Sequence, residues 1–418
     1  MTGIVDTYWK RIRQFSPNAR LYLASMVLTG AALGIYRLLF NFYVLSLNMD
    51  ANVVGQLTSV TSMTALLLAV PMGYLADILG RKKSFILGGV IVCLSIAGMV
   101  VWPLKGMLFV MSILNGAAQS LSAVTMSPFL LENSGREERT YLFSLAAGAQ
   151  MTASFVGNSI GGNLPSWIAA RQGVAATSST AYAGALAIVS GVALVGLLPF
   201  FFMKMPRLEQ SERALFAPLA YARKQPVLLG KLILPMLVTS IGAGLLMPFM
   251  NVFFRVVYHQ PDPVIGNILA WGALAMGIGL LVAPPLAERM GKIQLVVITQ
   301  GLSIPFLAML GFAPWFWLSG MAYYVRIALM NMSGPVYQTF VMEQVEPGAR
   351  ATVASLVSMA NNFGWAFSPS ISGWLQVKYG FNPVFAGVLT LYTLSVYLYW
   401  RYFWKSKPAE ELVPAPAD

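Results

Sequence analysis

Two arginines stand where a charge is costly. Arg37 falls inside the apolar run 21–47, and Arg326 inside the run 315–341. A guanidinium in such a run persists only where it faces protein, water or a ligand. Arg37 precedes Asp50 by thirteen residues, and Arg326 follows Trp315 by eleven. At helical rise these are depths of about 20 Å and about 16 Å from the same end. The guanidinium is a planar, two-pronged donor that matches carboxylate or phosphate, and it stays protonated at any working pH. The competing reading is structural: bonding to helix carbonyls, or a stem that snorkels to the interface. The chain has 15 Asp and Glu, none near the middle of an apolar run. A positive site without an embedded carboxylate suits an anionic or zwitterionic solute better than an organic cation. Proton coupling through an embedded acid is therefore not expected. Any pH dependence would come from the solute, or from Glu132 and Glu343 at the run ends.

Other chemistries lack their residues. Cys93 is the only cysteine and His259 the only histidine, so a disulfide or a metal set cannot be built from them. No Ser-His-Asp arrangement, phosphate-binding loop or dinucleotide fingerprint stands out. No enzyme, cofactor or metal is expected. The glycine-rich stretches lie in apolar runs, where glycine serves close helix packing.

The elements that must position the arginines follow from composition. The chain is 57% apolar and 10% charged, against about 25% charged in soluble proteins. Twelve runs are long enough to span a bilayer, which takes about 20 residues. They lie near 21–47, 53–76, 84–102, 106–131, 140–163, 181–203, 229–254, 264–287, 293–312, 315–341, 351–376 and 382–404. Continuous apolar runs point to helices rather than alternating barrel strands. The class is an all-α membrane protein. Residues 1–20 carry Lys10, Arg11, Arg13 and Arg20 with Ile4, Val5, Tyr8, Trp9, Ile12 and Phe15 at helical spacing. An interfacial helix fits them, with a frayed tail as the alternative.

With both termini inside, 21 of the 27 Lys and Arg fall on the inner side. The positive-inside rule then places both ends in the cytoplasm. The net charge of +12 is thus an orientation signal and not a nucleic-acid surface. The expected location is a plasma membrane of bacterial inner-membrane type.

The chain also repeats itself. Gly73-Tyr74-Leu75-Ala76-Asp77-Ile78-Leu79-Gly80-Arg81-Lys82-Lys83 has a partner 211 residues on, Leu286-Ala287-Glu288-Arg289-Met290-Gly291-Lys292. At the same offset Glu132 meets Glu343, Arg139 meets Arg350, and Gly55 meets Gly266; at 210, Asn41 meets Asn251. Two pseudo-symmetric halves of six helices follow. The halves are 1–203, with the interfacial segment, and 229–418, with a short tail; 204–228 is the cytoplasmic linker.

Residues 73–83 resemble the signature loop of the major facilitator superfamily, G-x-L-a-D-r-x-G-R-k-x, through Gly73, Leu75, Asp77, Gly80, Arg81 and Lys82. Glu132 to Arg139 and Glu343 to Arg350 are each similar to the family's E-x6-R. The resemblance implies twelve helices, alternating access between the halves, and a cavity lined by spans 1, 4, 7 and 10. It implies that Asp77 and Arg81 are conformational latches, with Glu288 and Lys292 a weaker second copy, because Pro284 replaces the first glycine. Carried onto this chain, the gate set is Gly73, Asp77, Gly80, Arg81, Glu132, Arg139, Glu288, Lys292, Glu343 and Arg350. The substrate set is Arg37, Arg326, Tyr36, Asn41, Gln119, Asn251, Tyr323, Asn331 and Gln338, with Asn361 and Asn362 from span 11.

Two departures bear on function. Gly157-Asn158-Ser159-Ile160-Gly161-Gly162 resembles the G-P-x-x-G-G motif of drug/proton antiporters, but Asn158 replaces the proline. The antiporter arginine of span 4 would fall at Ser112. Both count against a proton-coupled drug exporter. The expected function is secondary active transport of a small or amphipathic organic anion by a monomer in the lipid bilayer. The alternatives are a multidrug or lipid exporter, and a non-transporting membrane sensor or scaffold.

Overall fold

The computed structural model describes residues 14–135, 139–204, 225–345 and 350–404. The N-terminal segment, most of the linker and the tail, with the expectations placed on them, lie outside the described residues. Every regular element among the described residues is helical. In chain order these are α1 (Pro17–Ser46), α2 (Ala51–Leu67), α3 (Ala69–Leu79), α4 (Arg81–Val101), α5 (Lys105–Glu132), α6 (Arg139–Gln172), α7 (Ser179–Gly196) and α8 (Leu198–Phe201). They continue as α9 (Pro226–Leu246), α10 (Met250–Tyr258), α11 (Asp262–Met290), α12 (Lys292–Phe312), α13 (Phe316–Glu343), α14 (Arg350–Tyr379) and α15 (Asn382–Phe403). Among the described residues eight spans, or nine counting the bent pair α2–α3, are long and apolar enough to cross a membrane; α9 and α10 together make one of them. Helices α6, α13 and α14 have the length as well, at 34, 28 and 30 residues. The twelve expected runs each fall on one helix or one broken pair.

Local chemistry sets the ends and breaks. Ser16 caps α1 by accepting from the Ala19 amide, with Pro17 in the first turn. Asp50 caps α2 through the Val53 amide and Ser178 caps α7 through the Ala181 amide. Each satisfies an amide that the first turn leaves without a partner. The 53–76 run is not straight. It breaks at Leu68 with a bend of 58°. Pro71 has no N–H for the Leu67 carbonyl and its ring crowds that carbonyl, so the ladder fails there. Pro248 similarly sits in the 3-10 turn Met247–Phe249 that separates α9 from α10. Continuous hydropathy hides such breaks, which is why the runs alone indicate neither.

Packing groups the chain into two compact units. Of the described residues, the first holds those up to 204 together with 249–274; the second holds 225–248 and those from 275 to 404. The stretch 249–274 therefore packs with the first unit although it belongs to the second repeat in sequence, and α11 changes unit part-way along its length.

In the first unit α1 lies along α6 and α7, α4 along α5, and α2 against α5. Its basic end, where the α3–α4 turn carries Arg81, is sealed by a core of Phe15, Tyr22, Phe85, Phe129, Leu142 and Phe200. The Phe85 and Phe200 rings stack with centroids 5.1 Å apart. In the second unit α9 packs along α14 and α15, and α12 along α13. Its own basic end, at the α11–α12 turn, is filled by Leu232, Tyr337, Phe340, Val341, Tyr399 and Phe403. Large apolar side chains thus lie beside both charged turns. Elsewhere many large apolar residues are exposed, among them Leu67, Leu94, Leu281 and Trp317, as expected for a surface that meets acyl chains.

Candidate functional site

The α3–α4 turn is built around one guanidinium. Gly80 adopts φ 78°, a conformation that side chains resist, and this reverses the chain so that α4 starts at Arg81. Arg81 then turns back over the end of α3. Its Nη1 donates to Asp77 Oδ1 at 2.8 Å, and its Nε and Nη2 donate to Glu132 Oε1 at 3.1 and 3.0 Å. The Arg81 side chain is 7% exposed; Asp77 and Glu132 are about a quarter exposed. Lys82 reaches the other way and donates to the Phe201 and Met203 carbonyls at the end of α8. Gly73 is buried in α3.

The second copy repeats the backbone with thinner chemistry. Gly291 has φ 92°, and Lys292 pairs with Glu343 at side-chain exposures of 35% and 39%. Glu288 is exposed and makes no ion pair among the described residues. The side chains of Arg139 and Arg350 lie outside the described residues.

The sequence-predicted substrate residues do not all behave alike. Arg37, on α1, has an exposed side chain between the buried Tyr36 and Leu38. It makes no ion pair and no hydrogen bond among the described residues. Gln338 is also exposed. Arg326 is 2% exposed. Its Nη2 donates to Tyr392 Oη at 3.0 Å, its Nη1 lies 3.5 Å from Met247 Sδ, and its Nε has no partner. No carboxylate among the described residues pairs with it. Arg326 thus points at α15 within its own unit, with Tyr323 buried about one turn before it. Tyr36 directs its hydroxyl at Met99 Sδ, Gln119 donates to Asn115 on its own helix, and Asn331 donates to the Ile327 carbonyl. Asn361 and Asn362 are exposed on α14.

Asn41 and Asn251 meet each other. Asn41 Nδ2 donates to Asn251 Oδ1 at 2.9 Å, and Asn251 Nδ2 donates to the Leu38 carbonyl at 2.7 Å. Both side chains are buried, so in this conformation they hold helices together.

Beside them lies a cluster that the sequence does not announce. Asp262, the first residue of α11, is 7% exposed and is the only buried carboxylate among the described residues. It forms an ion pair with Arg255 at the end of α10. Tyr182 of α7 donates to Asp262 Oδ2 at 2.7 Å and accepts from Arg255 Nη2 at 2.7 Å. The Arg255 guanidinium lies 3.3 Å over the Phe42 ring of α1. In sequence these are an outer-loop base and an outer-loop acid, seven residues apart. The signal that could have found them is the pair of opposite charges at adjoining ends of two consecutive helices, brought together by the turn at His259, which has φ 52°.

The glycine stretch of α6 also finds its use here. Gly157 and Gly161 face Ala31 and Ile35 of α1, while a methyl group at Gly162 would fall 2.6 Å from the Asp262 carbonyl oxygen. Gly266 returns the fit, since a methyl there would fall 2.6 Å from the Asn158 carbonyl oxygen. Absent side chains let the start of α11 lie directly on α6.

Long apolar helices and a duplicated charged turn define a multi-pass membrane protein built from two related halves. The family model of the Major Facilitator Superfamily matches residues 22–369 and 237–417, and the chain belongs to that superfamily. No individual curated protein sequence matches it. Solved structures share its fold. The nucleoside transporter NupG, as a point mutant, has a TM-score of 0.74 at 17% identity over 94% of this chain and 100% of that one. A bacterial homologue of the human lysosomal transporter Spinster, inward-facing and unoccupied, has a TM-score of 0.76 at 13% identity over 96% and 100%. An inward-facing bacterial homologue of the iron transporter ferroportin has a TM-score of 0.71 at 16% identity over 93% and 99%.

Proposed function

We propose that the chain is a secondary active transporter that moves a small or amphipathic organic anion by alternating access. The fold neighbours include a nucleoside transporter and a homologue of an iron transporter, so the fold does not select a substrate and the residues must. The observation that carries the reading is Arg37: an exposed guanidinium deep along a membrane helix, without a carboxylate partner. Exposure of such a group to acyl chains would be very costly. It is compatible with a water-filled path in which an anion supplies the missing charge. Arg326 adds a second uncompensated charge, held by Tyr392, and a gate set at Asp77, Arg81 and Glu132 supports the alternation. The protein acts as a monomer of plasma (inner) membrane type with both termini cytoplasmic, on this reading, and needs no cofactor.

The test begins with a thermal-shift screen of the purified protein against anions, cations and lipids, since a ligand of the folded state raises its stability. Binding of the best anion is then measured for the wild type, Arg37→Ala and Arg326→Ala between pH 5 and 8. Arg37→Ala is expected to weaken binding by about 2–4 kcal/mol, with only partial rescue by Lys. Unchanged affinity in both variants, or a preference for lipophilic cations, would favour a drug exporter. Absence of any flux in liposomes would favour a sensor or scaffold. External thiol labelling is expected at a cysteine placed at Gln172 and not at Gln210.

A further inference from the structure

We infer that the groove between α4 and α5 is a lipid site, which holds one acyl chain of a membrane phospholipid with the phosphate at Lys105. The site lies wholly in the first unit and is independent of which solute is carried.

The groove follows from side-chain size. Leu94 and Val101 of α4, Trp102 at its end, and Met111 and Leu114 of α5 wall it, with Ala97 between them. Ala97 and Gly98 leave α4 low where its neighbours stand tall. Gly98 also lets the two helices close beneath the groove, since a methyl group there would fall 2.5 Å from Met111 Sδ. Leu94 and Val101 are each 63% exposed, so the groove opens outward. Its volume is about 400 Å³, and no charged side chain lines it. Walls left without a neighbour lose the dispersion contacts of one side, so an apolar filling is favoured.

Length and ends name the occupant. Both helices are long and apolar enough to cross a membrane, so acyl chains are what lies against them. From Ile91 to Trp102 the groove follows α4 for about 16 Å at helical rise. That is about half of a hydrocarbon core about 30 Å thick, the depth of a single leaflet. Trp102 marks the headgroup end, because indole rings favour the membrane interface. Three residues further on stands Lys105, the only charged residue between Lys83 and Glu132. It is exposed and makes no ion pair among the described residues. An ammonium at that level is a point charge suited to phosphate. A lipid at the smooth periphery touches protein on one side and exchanges. A chain seated between two helices touches protein on both flanks and is tethered at its head, so it is retained.

The experiment uses the full chain, purified in a mild detergent. It is given phosphatidylglycerol, phosphatidylethanolamine or a diacylglycerol with the same acyl chains, and retained lipid is counted by native mass spectrometry. The parent is expected to keep one molecule of either phospholipid and about fivefold less diacylglycerol. Ala97→Trp, which fills the groove, is expected to lower phospholipid retention about tenfold. Leu114→Trp fills it from the opposite wall and serves if Ala97→Trp fails to fold. Leu194→Trp adds the same ring at an exposed position of α7, outside the groove, and is expected to retain lipid as the parent does. Lys105→Gln is expected to lower phospholipid retention about threefold and to leave diacylglycerol unchanged. Parental retention in a folded groove-filling variant, or an equal loss in Leu194→Trp, would overturn the site. Diacylglycerol kept as well as the phospholipids, or phospholipid retention indifferent to Lys105→Gln, would overturn the phosphate contact and with it the inference.

Discussion

The two charged turns are copies that have diverged in chemistry but not in backbone. Gly80 and Gly291 both take positive φ, and in each turn the following base reaches a glutamate 51 positions further on. Around Arg81 the base is buried and shared by two acids. Around Lys292 the pair is more than a third exposed, and Glu288 does not join it. Burial decides what such contacts contribute. An exposed pair in water contributes between nothing and about 1 kcal/mol, whereas removing one partner of a buried pair strands the others. Duplication preserved the scaffold; the guanidinium, with its several donors in fixed directions, allowed only one copy to become a three-residue cluster.

The sharpest break of this comparison is Arg81→Ala. It leaves Asp77 and Glu132 converging on an empty position and is expected to lower stability by about 2–3 kcal/mol, less than a fully buried pair because both acids are partly solvated. Transport in liposomes is expected to fall with it. Gly80→Ala and Gly291→Ala come next, each at about 1–2 kcal/mol, because a Cβ is strained at positive φ. Near-equal losses, read as denaturation midpoints in detergent, would establish that the backbone device is common to both turns. A cost confined to Gly80 would mean that the second turn is no longer constrained.

Asp77→Asn keeps a hydrogen-bond acceptor and removes a charge. It is expected to cost about 1 kcal/mol, to slow or bias alternation, and to leave ligand affinity in a fixed conformation unchanged. Loss of binding in every conformer would make the turn part of the binding site. The smallest effect is expected at Lys292→Ala, under about 0.5 kcal/mol, since a pair this exposed is largely screened. A loss as large as that of Arg81→Ala would erase the distinction between the copies.

Much of this architecture is legible in the chain. Among the described residues hydropathy alone locates eight or nine membrane spans, because a bilayer leaves no other way to satisfy the backbone, while α6, α13 and α14 answer to the remaining runs by length. The 211-residue offset locates both turns and the glutamates they bind, since charge, glycine and base fall in register. Hydropathy gives no warning of the bend at Leu68, because Pro71 is itself apolar and breaks a helix by lacking a donor. The site is less legible. Sequence assigns Arg326 the same role as Arg37, but depth along a helix does not say which way a side chain points, and Arg326 is turned onto Tyr392. Asn41 and Asn251 read as ligands and are bonded to each other in this conformation. Asp262 goes unremarked because a loop acid signals nothing until folding buries it.

The bond between Asn41 and Asn251 has one more implication. These are counterpart positions of the internal repeat, so the contact joins a residue to its own duplicate. Between two identical chains such a self-contact is possible only on the two-fold axis, and it requires a side chain complementary to itself. An amide qualifies, because it carries donor and acceptor on the same group. A carboxylate or a guanidinium meeting its own copy would repel. The asparagine pair is therefore a contact between repeat counterparts that only a side chain carrying both donor and acceptor can make.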